Sequence, residues 1–119
     1  MKLALALGAA VMLLAACATS GSESDGGLGA GGPVVEIVVK DGKVTPEGRR
    51  VEVTVGQEIA LHVTSDAAEE LHVHSDPEHT FEVARGGDKT FTFTIRTPGQ
   101  VAVEAHHLGV TIVQLVVRP

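Results

Sequence analysis

Apolar and polar residues alternate through most of the chain after residue 33, which is the pattern of half-buried β-strands. In one stretch Ile59, Leu61 and Val63 share one side, while His62 lies on the other. Turn dipeptides such as Asp41-Gly42 separate the stretches, and no stretch has helical periodicity. The pattern predicts eight or nine short strands, at about 34–39, 43–45, 50–55, 58–65, 70–74, 79–84, 88–96, 101–106 and 111–117. This number of strands favours an all-β fold, a two-sheet antiparallel Greek-key β-sandwich.

One predicted strand carries two histidines on the same face. In the run Glu70-Leu71-His72-Val73-His74, the two apolar residues point one way and His72 and His74 the other. Residues two apart on a strand are separated by roughly 6.5–7 Å along it. Both imidazoles could therefore reach one metal ion. The same alternation is also that of any half-exposed strand.

A second histidine pair, His106-His107, lies at the predicted tip of the last hairpin. Adjacent residues point to opposite faces of an extended chain, so only one of them can join the first pair unless the loop bends. Glu70, Asp76 and Glu104 are candidates for an oxygen ligand or for a partner of a ligand imidazole. These histidines and acids form the candidate site.

The first 16 residues read as an export signal rather than as part of the fold. Lys2 precedes an apolar run that is shorter than the ~20 residues of a spanning helix. The run ends in LAAC, with the cysteine at position 17, and this resembles the lipobox of bacterial lipoproteins. The resemblance implies that Cys17 carries lipid and anchors the chain to the extracytoplasmic face of the cell membrane. The alternative is an ordinary signal peptide that is cleaved elsewhere.

Residues 17–32 would then comprise the lipidated Cys17 and a tether rich in glycine and serine, and residues 33–119 the folded domain. A flexible segment of this length spans roughly 20 Å, so the domain would stay close to the membrane without entering it. This organisation predicts one partner, the membrane, which the protein contacts through the lipid on Cys17.

Loss of the signal changes the chemistry that the chain can offer. Cys17 is the only cysteine and would be used by the lipid, while Met1 and Met12 would leave with the signal. Lys2 leaves as well, so the nine basic residues become eight against fifteen acidic ones, a formal charge of −7. An acidic domain without a basic stretch is not expected to bind nucleic acid. We expect a monomer with no disulfide and no sulfur ligand.

Several motifs of the folded part are similar to those of cupredoxin-like domains, and more narrowly to those of small cupredoxin-like lipoproteins of bacterial cell surfaces. The similarity covers nearly all of residues 34–119 and implies the cupredoxin-like β-sandwich. The motifs that carry it are GKVTP at 42–46, VEVTVGQ at 51–57, ALHVTSD at 60–66, LHVH at 71–74, FTFT at 91–94 and TPGQV at 97–101.

In blue-copper members of this family, the loop joining the last two strands supplies Cys, His and usually Met. The resemblance places residues 105–110 in that loop, at the same end of the sandwich as the loop of the middle strand. The loop contains His106 and His107 but neither Cys nor Met. The thiolate sets the geometry of a blue-copper centre, so a type 1 electron-transfer site is excluded.

The function expected from the sequence is binding, storage or delivery of a divalent metal at the cell surface. The ligands would be His72 and His74, with help from His106 or His107, and copper(II) ranks before zinc because it leads the divalent series in affinity for imidazole. The main alternative is a metal-free interaction module of the same fold. No nucleophile elbow or phosphate-binding loop is present, so no enzyme is expected, and the remaining histidines, His62 and His79, are interpreted as surface residues.

Overall fold

The structure is a computed structural model that describes residues 31–119. The predicted signal, Cys17 and residues 18–30 of the tether lie outside the described residues. Nine strands are present, and none of the described residues forms a helix long and apolar enough to cross a membrane. The strands are β1 (Val34–Lys40), β2 (Lys43–Thr45), β3 (Arg49–Thr54), β4 (Glu58–Ser65), β5 (Glu69–Val73), β6 (His79–Val83), β7 (Asp88–Thr94), β8 (Gly99–Ala105) and β9 (Val110–Arg118).

The strands form two sheets, one of four strands in the order β2-β1-β4-β7 and one of five in the order β3-β9-β8-β5-β6. The predicted all-β sandwich is confirmed, but its sheets are mixed rather than antiparallel throughout. Strand β1 pairs with β4 in parallel, and β3 pairs with β9 in parallel. Side-chain alternation is the same in both directions of pairing, so the sequence pattern could not distinguish them.

The core lies between the sheets and is built almost entirely from aliphatic side chains. Ile59, Leu61 and Val63 of β4 are fully buried, and Leu71 and Val73 of β5, in the other sheet, belong to the same buried cluster. Each such side chain contributes about 1.5–3 kcal/mol by its removal from water. Because these residues occupy alternate positions, the histidines between them must lie on the outer faces of the two sheets.

A β-bulge in the last hairpin shifts the register next to the histidine strand. Val103 of β8 is opposite Val113, but Glu104 is opposite Thr111, which leaves Ile112 as the extra residue on β9. Ile112 and Val113 are consecutive and both fully buried, as a bulge permits. Beyond the bulge, Glu104 lies on the outer face of the five-stranded sheet.

Two connections carry the remaining residues of the candidate site. The β8–β9 turn closes at Gly109, whose φ of 64° is in the left-handed region that glycine adopts without strain. In the β5–β6 connection, the Ser75 amide donates to the Val73 carbonyl over 2.9 Å, and the Ser75 hydroxyl donates to the Pro77 carbonyl over 2.7 Å. These bonds fold the connection back towards β5.

Candidate metal centre

Three histidine side chains meet on the outer face of the five-stranded sheet. The ring centroids of His72 and His106 lie 4.5 Å apart, and those of His72 and His74 lie 5.9 Å apart. Strand β5 supplies His72, the residue after that strand is His74, and the β8–β9 turn supplies His106. The two histidine pairs singled out in the sequence therefore meet in the fold.

His72 and His74 each have one ring nitrogen hydrogen-bonded to a carboxylate. Glu70 Oε1 accepts a hydrogen bond from His72 Nε2, and Glu104 Oε2 accepts one from His74 Nε2 at 3.0 Å. A carboxylate can only accept, so Nε2 carries the hydrogen in both rings. In the neutral imidazoles, the lone pair that can bind a metal is then on Nδ1.

The two Nδ1 atoms face one carboxylate oxygen. Glu78 Oε1 lies 3.6 Å from His72 Nδ1 and 3.8 Å from His74 Nδ1. Two ligand atoms on the same ion, each with a bond of about 2 Å, lie about 3–3.5 Å apart. Within residues 31–119, no group of three or more His, Cys, Asp or Glu side chains is already close enough to hold a metal ion. The donor types suit a divalent metal, but the side chains would have to move closer together to hold one.

Ring orientation separates His74 from His106. The planes of His72 and His74 are inclined by 62°, so the two ring planes intersect. The planes of His72 and His106 differ by only 2° and the rings are stacked. An imidazole binds a metal in its ring plane, and parallel planes share no point. As they lie, His106 covers His72 rather than sharing an ion with it.

The neighbouring His107 lies beside the cluster, with its ring centroid 5.8 Å from that of His106, but its hydrogen bonds are made elsewhere. The His107 ring donates from Nδ1 to the Ala68 carbonyl over 3.1 Å, and its amide donates to Glu69 Oε1 over 2.7 Å. Of the adjacent pair, the structure thus brings His106 to the β5 histidines and directs His107 to the segment before them. The turn, rather than the spacing of the residues, makes this distinction.

The charges around the three imidazoles are predominantly negative. Glu70, Glu78 and Glu104 surround His72 and His74, and the hydrogen bond from His72 lowers the pKa of the Glu70 carboxyl. The charges of His72, His106 and His107 lower that pKa further, while burial opposes them. Acidic surroundings of this kind favour a divalent cation at the free nitrogens.

The other candidate residues lie elsewhere. Asp76 is exposed in the β5–β6 connection. His62 lies on the four-stranded sheet, with its Nδ1 2.5 Å from Glu36 Oε2 and its Nε2 2.6 Å from Asp88 Oδ1. His79 packs on aromatic rings, with its centroid 5.4 Å from that of Phe93 and 6.0 Å from that of Phe81. Both histidines lie outside the cluster, although each is partly buried rather than free on the surface.

One residue of the cluster does not appear among the sequence candidates. Glu78 lies in the connection after β5, where strand alternation gives no direction for a side chain. The sequence does contain one hint, since Glu78 is four residues after His74 and follows a proline. A connection this short keeps the carboxylate near the strand end, so it could have been included with Asp76.

No known protein-family profile matches the sequence, and no curated protein matches it significantly. Solved structures do match. The metal-binding domain of the Cu(I)-exporting P-type ATPase CopA of Streptococcus pneumoniae, with Cu(I), superposes with a TM-score of 0.60 at 12% identity, over 79% of this chain and 93% of that one. Reduced auracyanin of Roseiflexus castenholzii superposes with a TM-score of 0.53 at 16% identity, over 72% of this chain and 97% of that one.

A methionine-to-alanine mutant of amicyanin in its Cu(I) form superposes with a TM-score of 0.50 at 11% identity, over 71% of this chain and 82% of that one. Sequence identities this low support a shared fold and no conclusion about function. The nine strands, their two-sheet arrangement and these neighbours agree on one architecture. The described part of the chain has a cupredoxin-like fold.

Proposed function

We propose that this domain binds a divalent metal ion, copper(II) before zinc, through Nδ1 of His72 and Nδ1 of His74. The observation that carries the proposal is the shared approach of both Nδ1 atoms to Glu78 Oε1, at 3.6 and 3.8 Å. Two imidazole nitrogens and one carboxylate oxygen would then hold the ion. The role would be binding, storage or delivery rather than catalysis.

The donor types support a divalent ion. Imidazole suits copper(II), zinc and nickel, and copper(II) has the highest affinity in the divalent series. Soft thiolate and thioether ligands, which select copper(I), are missing from residues 31–119 because the sequence has no Cys or Met after position 17. The same absence argues against blue-copper electron transfer.

The outer partners of the two histidines support the same site. A metal-binding histidine almost always donates its second ring N–H to a carboxylate or carbonyl, which fixes the ring and its tautomer. Glu70 and Glu104 accept from Nε2 of His72 and His74 in this way. In the neutral rings, these bonds leave the lone pair of each imidazole on Nδ1 in the metal-free protein.

The predicted lipid anchor on Cys17 would place this site outside the cytoplasm, at the membrane surface. A tether of roughly 20 Å lets the domain reach partners near that surface. Among the structural neighbours, the CopA domain is a metal-binding domain of a Cu(I) exporter. Copper handling in the cell envelope is a role consistent with both features.

A copper(II) titration of the purified protein, followed by the d–d absorption band, tests the proposal. The parent should bind one ion, and the double variant His72→Ala/His74→Ala should lose at least 100-fold in affinity, because both nitrogens are gone. His62→Ala is the matched control, since it removes a histidine from the opposite sheet. Equal binding by the parent and the double variant would refute the site.

The stacking of His72 on His106 favours a second candidate function. Parallel rings that cover one another are an arrangement for packing rather than for coordination. A metal-free interaction module would have the same fold and the same surface. In the titration it predicts that the parent binds copper no more tightly than the double variant.

A further inference from the structure

The first residue of β5 is a buried carboxylate next to the proposed site. Glu69 is only 3% exposed, in a domain whose buried residues are otherwise almost all aliphatic. Removing a carboxylate from water is costly unless hydrogen bonds replace the lost solvation. Glu69 Oε1 accepts from the His107 amide at 2.7 Å and from the Glu70 amide at 2.9 Å. Two main-chain N–H groups thus replace part of the lost solvation of this carboxylate.

These bonds fasten the β8–β9 turn to β5. The His106 amide donates to the Glu70 carbonyl over 2.8 Å, immediately beside the bond from the His107 amide to Glu69. The His107 ring adds a third link through the Ala68 carbonyl at 3.1 Å. Three consecutive residues, 68–70, at the start of β5 therefore hold both histidines of the turn.

Of these three links, only the bond from the His107 amide to Glu69 depends on the length of an acidic side chain. The bonds to Ala68 and Glu70 use main-chain carbonyls, which every residue has. Without the carboxylate, the His107 amide would lose this acceptor, at a cost typical of a broken hydrogen bond. The turn would then move to find water.

We propose that Glu69 is a positioning residue that holds the His106 imidazole over His72. Its contact is with the main chain of the turn, and its effect is the 4.5 Å stacking of the two rings. The consequence for metal binding rests on the proposed function: His106 would cover one face of the ring of His72, a proposed ligand.

Two variants separate the length of the side chain from its charge. Glu69→Gln keeps the reach and an acceptor oxygen but loses the charge, while Glu69→Asp keeps the charge but is shorter by one methylene group. Glu82→Gln is the matched control, because Glu82 is an exposed carboxylate opposite Glu70 on the neighbouring strand. It removes a negative charge from the same sheet without touching the turn.

The metal-free protein gives the first measurement, by NMR. In Glu69→Asp the His107 amide should exchange with solvent about tenfold faster than in the parent, the size expected for loss of a hydrogen bond to a charged group. The nuclear Overhauser contact between the His72 and His106 rings should weaken as well. Glu69→Gln and Glu82→Gln should retain both signals. Unchanged exchange and an unchanged ring contact in Glu69→Asp would overturn the proposal.

If Glu69→Asp does not fold, the parent and Glu69→Gln still decide the matter. Protection of the His107 amide in both supports a bond that needs reach rather than charge. An unprotected His107 amide in the folded parent would overturn the proposal, because the bond to Glu69 would then be absent from the molecule in solution.

Copper distinguishes the failure of this inference from the failure of the site. If the parent binds copper but the NMR signals of Glu69→Asp are those of the parent, Glu69 does not position His106, while the site itself stands. If the parent binds no copper but the NMR results are as expected, Glu69 positions His106 and the metal proposal fails.

Discussion

The two faces of the sandwich use the same residue types in different ways. On the four-stranded sheet, His62 lies between two carboxylates, with Nδ1 at 2.5 Å from Glu36 and Nε2 at 2.6 Å from Asp88. On the five-stranded sheet, His72 has a carboxylate in hydrogen-bond contact at Nε2 only, and its Nδ1 is 3.6 Å from Glu78. The first arrangement uses both nitrogens, and the second leaves one available.

This difference decides what each histidine can do. Two carboxylates can both accept from one imidazole only when both of its nitrogens carry hydrogen, so the ion-pair arrangement at His62 is that of an imidazolium. Its pKa is raised by the hydrogen bond to Asp88 and next by that to Glu36, against the opposing effect of burial. An imidazolium has no lone pair for a metal. A histidine flanked by acids is therefore a metal-site candidate only if one nitrogen is left without a close acceptor.

Removing the shared carboxylate should have the largest effect on this contrast. Glu78→Gln should weaken copper(II) binding by about 100-fold, the upper end of the range for groups that support a metal site, since the oxygen facing both Nδ1 atoms loses its charge. Isothermal titration calorimetry would measure the change. Glu36→Gln, which neutralises a partner of His62 instead, is the control and should leave copper affinity within a factor of two or so of the parent. Equal losses in the two variants would mean that the acidity of the whole domain, and not Glu78, governs binding.

Removing an outer partner should have a smaller effect. Glu104→Gln takes the charged acceptor from His74 Nε2 but keeps an oxygen at the same place, so a loss of about tenfold in copper affinity is expected. The loss should be smaller than for Glu78→Gln because Glu104 does not face Nδ1. Glu82→Gln serves as the control on the same sheet. A larger loss in Glu104→Gln than in Glu78→Gln would reverse the roles assigned to the two carboxylates.

The smallest effect should be a pH dependence of stability that involves His62 alone. The folded-state pKa of His62 is raised above its ordinary value of 6.5, so its ion pairs stabilise the fold fully below 6.5 and lose that contribution as the pH rises through the raised pKa. The carboxylates must stay ionised, which sets a lower limit of about pH 5. The difference in Tm between the parent and His62→Gln should be greatest between these limits and should fade at alkaline pH.

Thermal unfolding of metal-free protein across that pH range measures the effect, which should be modest because the three side chains are partly exposed. A Tm difference that grows with rising pH would have the wrong sign for a histidine whose pKa is raised. It would show that Glu36 and Asp88 do not hold an imidazolium between them.

The fold could be predicted from the sequence because alternation and turn residues are local signals. The nine strands lie within a residue or two of the predicted stretches, and residues such as Leu61 and Leu71 point inward as expected. The parallel pairing of β1 with β4 and of β3 with β9 could not be predicted, since the direction of a partner strand leaves no trace in alternation.

Only the part of the candidate site that follows strand alternation could be predicted from the sequence. The common face of His72 and His74 follows from strand periodicity, whereas the choice between His106 and His107 depends on a turn whose course is set by Glu69, some 38 residues earlier. The approach of Glu78 depends on a connection held by Ser75. Both are tertiary features that lie beyond local pattern.

The free Nδ1 atoms of His72 and His74, and no nitrogen of His62, are the proposed metal-binding atoms. Long-range proton–nitrogen correlation spectra of protein labelled with ¹⁵N at histidine, recorded as zinc is added as a diamagnetic probe, test this assignment most directly. We expect the Nδ1 resonances of His72 and His74 to shift in proportion to bound zinc, while their Nε2 atoms stay protonated and His62 is unchanged. Shifts at Nε2 of these two rings, shifts at His62, or no saturable shift would contradict it.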